Sequence, residues 1–316
     1  MNRRITVRVF ASLLLCWCAL SPAGAFDSGR SAFTATVGGR EVGYRRLFFT
    51  ALPGETVRIA VPAAGRYELS GDTGTVKRDG ETAWRWTAPG SPGHGTLTVT
   101  RGDGEAMALA VFVMRPYAEM QGGTLNGYRI GEYPPNPLRN DPIYLAPPGF
   151  IEVTADMMDL PVSPHFTLGQ FLCKQQPEHW PKYLALRPVL LVKLEAILEA
   201  ANAAGIHTDR FVVMSGYRTP VYNRALGNVA FSRHLWGGAA DIYVDNDGDG
   251  VMDDLNGDGA LDYRDAVVLK QVVERLAGGG LLHWLLGGLG VYGPRVHHGA
   301  FVHVDARGRK ARWESP

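Results

Sequence analysis

The stretch that decides the fold of this chain is Ser232-Arg-His-Leu-Trp-Gly-Gly-Ala-Ala-Asp241. Its glycine pair argues against a helix between His234 and Asp241, because glycine weakens a helix interior. The apolar-rich run of residues 239–244 predicts a strand. We therefore expect Asp241 to project from a sheet and His234 to lie in the loop that precedes this strand.

A third residue of the same chemical kind lies in Phe301-Val-His-Val-Asp305, for which we predict the last strand over residues 301–304. Taken alone, each histidine is more often a structural residue than a metal ligand. Together, His234, Asp241 and His303 offer the imidazole and carboxylate groups that zinc takes in catalytic sites. Three protein ligands leave the fourth tetrahedral position for a water molecule, whose pKa the metal lowers to about 7.

Three separated motifs occur in the order found in a known family: Ser215-Gly-Tyr-Arg-Thr219, Ser232-x-His234 with Asp241, and Gly299-x-Phe-Val-His303-x-Asp305. Their order resembles that of the zinc D-alanyl-D-alanine metallopeptidases, the VanX/VanY-type carboxypeptidases and related endopeptidases that share a fold with hedgehog signalling domains. The tail His303-Val-Asp-Ala-Arg-Gly-Arg-Lys-Ala-Arg-Trp313 is similar to that of the secreted branch of the family. The resemblance covers about residues 165–313.

The resemblance implies roles for residues beside the metal. Arg218 corresponds to the family arginine that holds a carbonyl or carboxylate oxygen of the substrate. Ser232 corresponds to a small hydroxyl residue, for which we expect a hydrogen bond to the substrate. We expect Asp305 to orient His303 or a neighbouring histidine, as carboxylates do beside metal-bound imidazoles.

The general base is the point at which this chain departs from the family. VanX-type relatives have a glutamate three residues before the last zinc ligand, and this chain has Ala300 there. His298 matches a histidine found in endopeptidase-like and secreted members, and it is the expected base. His297 is the alternative for the same role.

The expected activity is hydrolysis of D-amino-acid peptide bonds in peptidoglycan stem peptides, by a D,D-carboxypeptidase or a D,D-endopeptidase. The alternative is a zinc-binding interaction module that has lost hydrolysis, as in hedgehog domains. A serine hydrolase is not expected, because the chain has no Gly-x-Ser-x-Gly motif. A cysteine protease is not expected either, because Cys173, the cysteine beyond the N-terminal segment, has an apolar setting.

An acidic loop, residues 245–265, predicts a second metal of a different kind. Its Asp, Asn and Gly residues follow the spacing of a calcium loop, with a helix directly after it. The predicted ligands of a structural Ca²⁺ are Asp254, Asn256, Asp258, Asp262 and Asp265. A second, overlapping register begins at Asp245, so the sequence does not decide between one bound ion and two. A solvated loop without a cation is the alternative, but its many carboxylates would repel one another.

The N-terminal segment has the parts of a secretory signal: a basic start, an apolar run over residues 9–20, and the small-residue site Ala23-Gly-Ala25. We predict cleavage before Phe26 and a periplasmic or extracellular protein. The apolar run is shorter than the roughly 20 residues that span a bilayer, so we do not expect an integral membrane protein.

Charge bears on the partners. The formal net charge is +1, and removal of Arg3, Arg4 and Arg8 with the signal would bring it to about −2. A nucleic-acid partner is not expected, because it would require a strong basic excess. The expected partner is the peptidoglycan peptide, and the sequence does not indicate an oligomeric state.

The 316 residues are enough for two domains. Short β-runs broken by glycine and proline predict an all-β, immunoglobulin-like sandwich over residues 26–115. Residues 116–165 predict an ordered, proline- and glycine-rich connector. Residues 166–316 predict an α+β zinc domain with a small antiparallel sheet, one helix from Pro188 to just before Gly205 and another over residues 264–277.

Overall fold

The computed structural model describes residues 26–278 and 286–316. The predicted signal, residues 1–25, lies outside the described residues. No helix in the part of the chain that the structure describes is long and apolar enough to cross a membrane.

The N-terminal region consists of two β-sheets that pack against each other. Their strands are β1 (Arg30–Val37), β2 (Arg40–Tyr44), β3 (Arg46–Ala51), β4 (Thr56–Ala60), β5 (Tyr67–Gly71), β6 (Thr75–Arg78), β7 (Ala83–Thr87), β8 (Gly93–Arg101) and β9 (Ala106–Val113). One sheet has the order β2-β1-β4-β7-β6 and the other β3-β9-β8-β5. Neighbouring strands are antiparallel, except that β3 and β9 are parallel. Two packed sheets are the arrangement expected of a sandwich, whereas its immunoglobulin-like type stays a prediction.

Aromatic side chains fill the space between these two sheets. Phe49 of β3 contacts Trp86 of β7 with ring centroids 5.5 Å apart, and Phe33 of β1 contacts Tyr67 of β5 at 5.3 Å. The indole of Trp86 is fully buried and donates a hydrogen bond to the carbonyl of Thr73, 2.8 Å away. Buried and less buried residues alternate along β1 and β4, which turns one apolar face of their sheet toward the core.

The segment between the sheets and the C-terminal region is ordered and packed. It contains the short strands β10 (Arg115–Pro116), β11 (Thr124–Leu125), β12 (Tyr128–Arg129) and β13 (Gly149–Val153), joined by turns. The hydroxyl of Tyr133 is 3.0 Å from that of Tyr217 and donates to the carbonyl of Leu235 at 2.8 Å. This segment therefore braces the backbone next to His234.

The C-terminal region is a mixed α/β structure. Its elements are β14 (Lys182–Leu184), α1 (Pro188–Ala203), β15 (Val212–Ser215), α2 (Pro220–Ala225), β16 (Ala239–Tyr243), α3 (Tyr263–Gly278), β17 (Gly288–Tyr292), β18 (Phe301–Asp305) and β19 (Ala311–Ser315). β14 pairs with β13, and β15 to β19 form one sheet of order β15-β16-β18-β17-β19. Helix α3 packs on β17 and against α1.

Two predictions about this region were wrong in detail. The sheet is antiparallel from β15 to β17, but β19 joins β17 in parallel. The predicted last strand is followed by β19, because the charged stretch Ala311–Ser315 pairs with β17 at the edge of the sheet. Both helices occur where they were predicted.

Candidate metal centre

The structure brings His234, Asp241 and His303 together from separate segments. Asp241 and His303 face each other on the neighbouring strands β16 and β18. His234 lies in a single 3-10 helical turn, Arg233–Trp236, where the sequence predicted a loop. All three side chains are buried.

Gly237 makes the passage from this turn into β16 possible. Its φ of 59° is in the left-handed region, which favours glycine. A Cβ at this position would also lie 2.1 Å from the carbonyl oxygen of Ala185. A larger residue at position 237 would therefore displace the turn that carries His234.

One atom from each side chain points toward a common centre. Nδ1 of His303 is 2.8 Å from Oδ1 of Asp241, and Nε2 of His234 is 3.2 Å from the same oxygen. The two nitrogens are 3.1 Å apart. Zinc at its usual bond lengths holds tetrahedral ligand atoms about 3.3 Å apart. Small movements would therefore fit these three atoms around a zinc ion.

The outer ring nitrogens indicate where the imidazole protons lie. Nδ1 of His234 is 2.6 Å from the carbonyl oxygen of Gly216, which can only accept a hydrogen bond. Nε2 of His303 is 3.3 Å from Oδ2 of Asp305. With protons on these outer nitrogens, the inner nitrogens turn lone pairs toward each other and toward the carboxylate of Asp241. A cation among them removes this repulsion, so the donor set fits a metal.

Asp305 lies next to His303 and is held by hydrogen bonds from several other residues. Nε of Arg307 and the backbone N–H of Gly288 donate to its carboxylate at 2.9 Å, and Nζ of Lys193 donates to its backbone carbonyl at 2.7 Å. Burial raises the pKa of Asp305, but His303 and Arg307 outweigh burial and lower that pKa well below its ordinary value. The carboxylate beside His303 is therefore ionised.

Arg218 lies against the metal cluster. Its Nη2 pairs with Oδ2 of Asp241, and its Nε donates to Oγ of Ser215 at 2.8 Å. Burial raises the pKa of Asp241, but the two neighbouring histidines outweigh it and lower that pKa well below its ordinary range. Ser232 begins the 3-10 turn, and its hydroxyl makes no hydrogen bond to residues 26–278 or 286–316. The substrate contacts of Arg218 and Ser232 stay predictions.

His298 lies beside the beginning of β18, the strand that carries His303. It is half-buried, and its ring packs edge-on against Phe301 with centroids 5.0 Å apart. Phe301 and His303 are two residues apart on β18 and share one face of the sheet. Nδ1 of His298 lies 2.8 Å from the carbonyl of Gly299, so this nitrogen donates and leaves Nε2 as a proton acceptor. His297 is exposed, and the assignment of the base to His298 stays a prediction.

The acidic loop brings carboxylates of its upstream register close together. Asp245, Asp247 and Asp253, which belong to the upstream register, each offer an oxygen, and these oxygens lie within 4.8 Å of one another. In the downstream register, Asp265 is buried and accepts the backbone N–H of Asp262 at 2.8 Å. The other predicted ligands of that register also accept backbone N–H groups of the loop: Asp254, Asn256, Asp258 and Asp262. Calcium binding stays a prediction.

Sequence reasoning gave no role to Trp313, which is close to the cluster. The indole lies against the ring of His303, with centroids 5.1 Å apart. The signal that pointed to it is the alternation Gly288-x-Gly290 in β17, which leaves that face of the strand without side chains up to Tyr292.

Two buried histidines and one buried aspartate are ligand types that zinc takes in catalytic sites. Residues 164–254 match the family model of peptidase M15. This match confirms the resemblance to the zinc D-alanyl-D-alanine metallopeptidases, a zinc-dependent family. The matched residues include His234 and Asp241 and end before His303. No curated protein matched the chain.

Proposed function

We propose that this protein is a zinc peptidase that hydrolyses D-amino-acid peptide bonds in peptidoglycan stem peptides after export from the cytoplasm. The observation that carries the proposal is the convergence of His234, Asp241 and His303 on one centre. The ring nitrogen of each histidine that points away from this centre already has a hydrogen-bond partner. The match to peptidase M15 supports the peptidase activity. The family motifs quoted from the sequence support the D-peptide substrate, and the N-terminal signal pattern supports export.

His234, Asp241 and His303 would hold the zinc ion. When bound there, zinc supplies a Lewis acid that polarises a carbonyl group and makes water nucleophilic near neutral pH. Arg218 fixes Oδ2 of Asp241, which leaves Oδ1 turned toward the two imidazoles. Asp305 fixes the ring of His303 from the other side.

Proton transfer and substrate binding fall to residues around this cluster. Nε2 of His298 would accept the proton of the attacking water and return it to the leaving amine. Arg218 would bind a substrate oxygen through Nη1, which makes no hydrogen bond to any residue in the described ranges. A planar guanidinium presents its donors in a fixed geometry, which suits this task. Ser232 would add a hydrogen bond from its hydroxyl.

The test is digestion of purified muropeptides by the mature chain, with and without a chelator, followed by mass spectrometry. Loss of a terminal D-alanine would indicate a carboxypeptidase, and separation of cross-linked peptides an endopeptidase. His303→Ala is the matched control, because it removes one metal ligand. An intact muropeptide pool after incubation with zinc-loaded protein would contradict the proposed activity.

The second candidate is a zinc-binding interaction module without hydrolysis. Ala300 favours it, because this buried residue stands where VanX-type relatives have their glutamate. In that case the zinc-loaded protein should bind muropeptides and release no product. Chelation should then abolish binding.

We also propose that the acidic loop binds Ca²⁺ as a structural ion. The support is chemical: its side chains offer oxygen ligands alone, which suit a hard cation. The convergence of Asp245, Asp247 and Asp253 gives one candidate centre, and the predicted downstream register gives another.

A further inference from the structure

Three neighbouring strands place His303, Gly290 and Trp313 in one row. Gly290 pairs with His303 across β17 and β18, and with Trp313 across β17 and β19. Residues that face each other on adjacent strands present their side chains to the same side of the sheet. Gly290 has no side chain, and a Cβ there would lie 2.2 Å from Nε1 of Trp313. The indole therefore lies across β17 and reaches the ring of His303.

The indole nitrogen of Trp313 contacts a tyrosine. Nε1 of Trp313 donates a hydrogen bond to the hydroxyl oxygen of Tyr292, 2.7 Å away. An indole nitrogen can only donate, so the oxygen of Tyr292 is the acceptor and its own proton is directed elsewhere. That proton has no acceptor among residues 26–278 and 286–316. The ring of Tyr292 stacks on Phe301, with centroids 4.6 Å apart and planes 9° apart, and this stacking fixes the orientation of the tyrosine ring.

The hydroxyl of Tyr292 belongs to the metal face of the sheet. Tyr292 pairs with Phe301, which lies on the same face of β18 as His303. Burial raises the pKa of Tyr292, and the negative charge of Asp241 raises it further. The hydroxyl therefore keeps its proton at neutral pH.

We propose that Tyr292 donates a hydrogen bond to the substrate oxygen that gains negative charge at the metal centre, and that Trp313 is the positioning residue that aims it. The proposal rests on the proposed function, because that oxygen is the carbonyl oxygen of the cleaved D-peptide bond. A preorganised donor of this kind typically contributes about 10²–10³-fold to kcat. Gly290 is the residue that makes the arrangement possible, since any side chain there would displace the indole.

The decisive variant is Tyr292→Phe, which removes the hydroxyl and keeps the stacking on Phe301. We expect kcat to fall on the order of 10²-fold with KM, zinc content and melting temperature close to wild type. Trp313→Phe should give a smaller loss, and the double variant should be no worse than Tyr292→Phe alone, because both changes remove one interaction. Tyr263→Phe is the matched control, since its hydroxyl bonds Glu314 at the sheet edge, and it should leave kcat unchanged.

A kcat within twofold of wild type for Tyr292→Phe, or additive losses in the double variant, would overturn the proposal. A binding measurement separates this outcome from failure of the proposed function. Acetohydroxamate should bind zinc-loaded Tyr292→Phe roughly tenfold more weakly than zinc-loaded wild type, because its oxygen loses one hydrogen bond. Equal affinities would overturn the role of Tyr292 even if the wild type cleaves no muropeptide. Weaker binding in a protein without peptidase activity would support it and reject only the substrate.

Discussion

The His–Asp–His cluster and the acidic loop both collect metal-ligand side chains, but they do so in opposite ways. The cluster draws its members from positions 234 to 303 and buries them, and strand register sets their spacing. The loop draws its members from residues 245–265 and leaves most of them at least partly exposed. Its carboxylates accept N–H groups of the loop itself. A distant, buried set is preorganised by the fold, whereas a contiguous, exposed set depends on its own turns.

The largest expected effect is the loss of metal from the buried cluster. His303→Ala should reduce zinc well below one ion per chain and abolish hydrolysis, because two ligands remain of three. Zinc is measured by atomic emission on dialysed protein. Asp258→Ala, in the acidic loop, is the control and should keep its zinc. Full zinc in His303→Ala would mean that the cluster is not the zinc site.

The next effect concerns chemistry without metal loss. His298→Ala should lower kcat by about 10²–10⁴-fold and keep zinc, because it removes proton transfer and no ligand. Steady-state kinetics on a stem peptide measures the loss. His297→Ala is the neighbouring control and should stay near wild type. The reverse result would assign the base to His297.

A smaller effect concerns a side chain that hydrogen-bonds a proposed metal ligand. It tests whether loss of a carboxylate lowers zinc affinity in the buried cluster and not in the loop. Asp305→Asn should weaken zinc binding by about 10–100-fold, because the carboxylate that fixes His303 is lost. Competition with a chromophoric chelator gives the affinity. The same change in the loop, Asp258→Asn, should leave zinc affinity unchanged. Equal affinities for the two variants would remove the distinction between the regions.

The smallest effect belongs to the acidic loop. A ligand that binds only the folded state at a hundredfold excess over Kd stabilises it by about 2.7 kcal/mol. Millimolar Ca²⁺ should therefore raise the melting temperature by several degrees. Asp258→Ala should remove this rise if the downstream register binds, and Asp247→Ala if the upstream register does. No rise in wild type, together with no heat of binding to chelator-stripped protein, would leave the loop a solvated acidic turn.

The elements with strong local signals were predictable. Helix α1 begins at the proline that a first helical turn accepts, and Gly205 follows its end with a φ of 89°. The apolar run through Asp241 predicted β16, and separated motifs predicted the three residues that converge as candidate ligands. These signals need only nearby residues or a known family pattern.

The remaining features depend on pairing across long stretches of chain. The glycines of β17 carry no strand signal, but they leave space for the indole of Trp313. The charged stretch of β19 has no apolar alternation that would predict a strand. Its parallel pairing with β17 joins residues that are separated along the chain. The hydrogen bond that orients His234 likewise comes from Gly216, a residue that no local pattern connects to it.

The strand order β15-β16-β18-β17-β19 also bears on how the chain folds. The acidic loop, α3 and β17 all lie between β16 and β18 along the chain. The two strands that carry Asp241 and His303 therefore close a long loop when they pair. Closing such loops costs entropy before contacts repay it, and non-local pairing slows folding. We expect zinc binding to appear late in refolding, after the helices have formed. A partly folded chain would then be proteolytically inert until its sheet is complete.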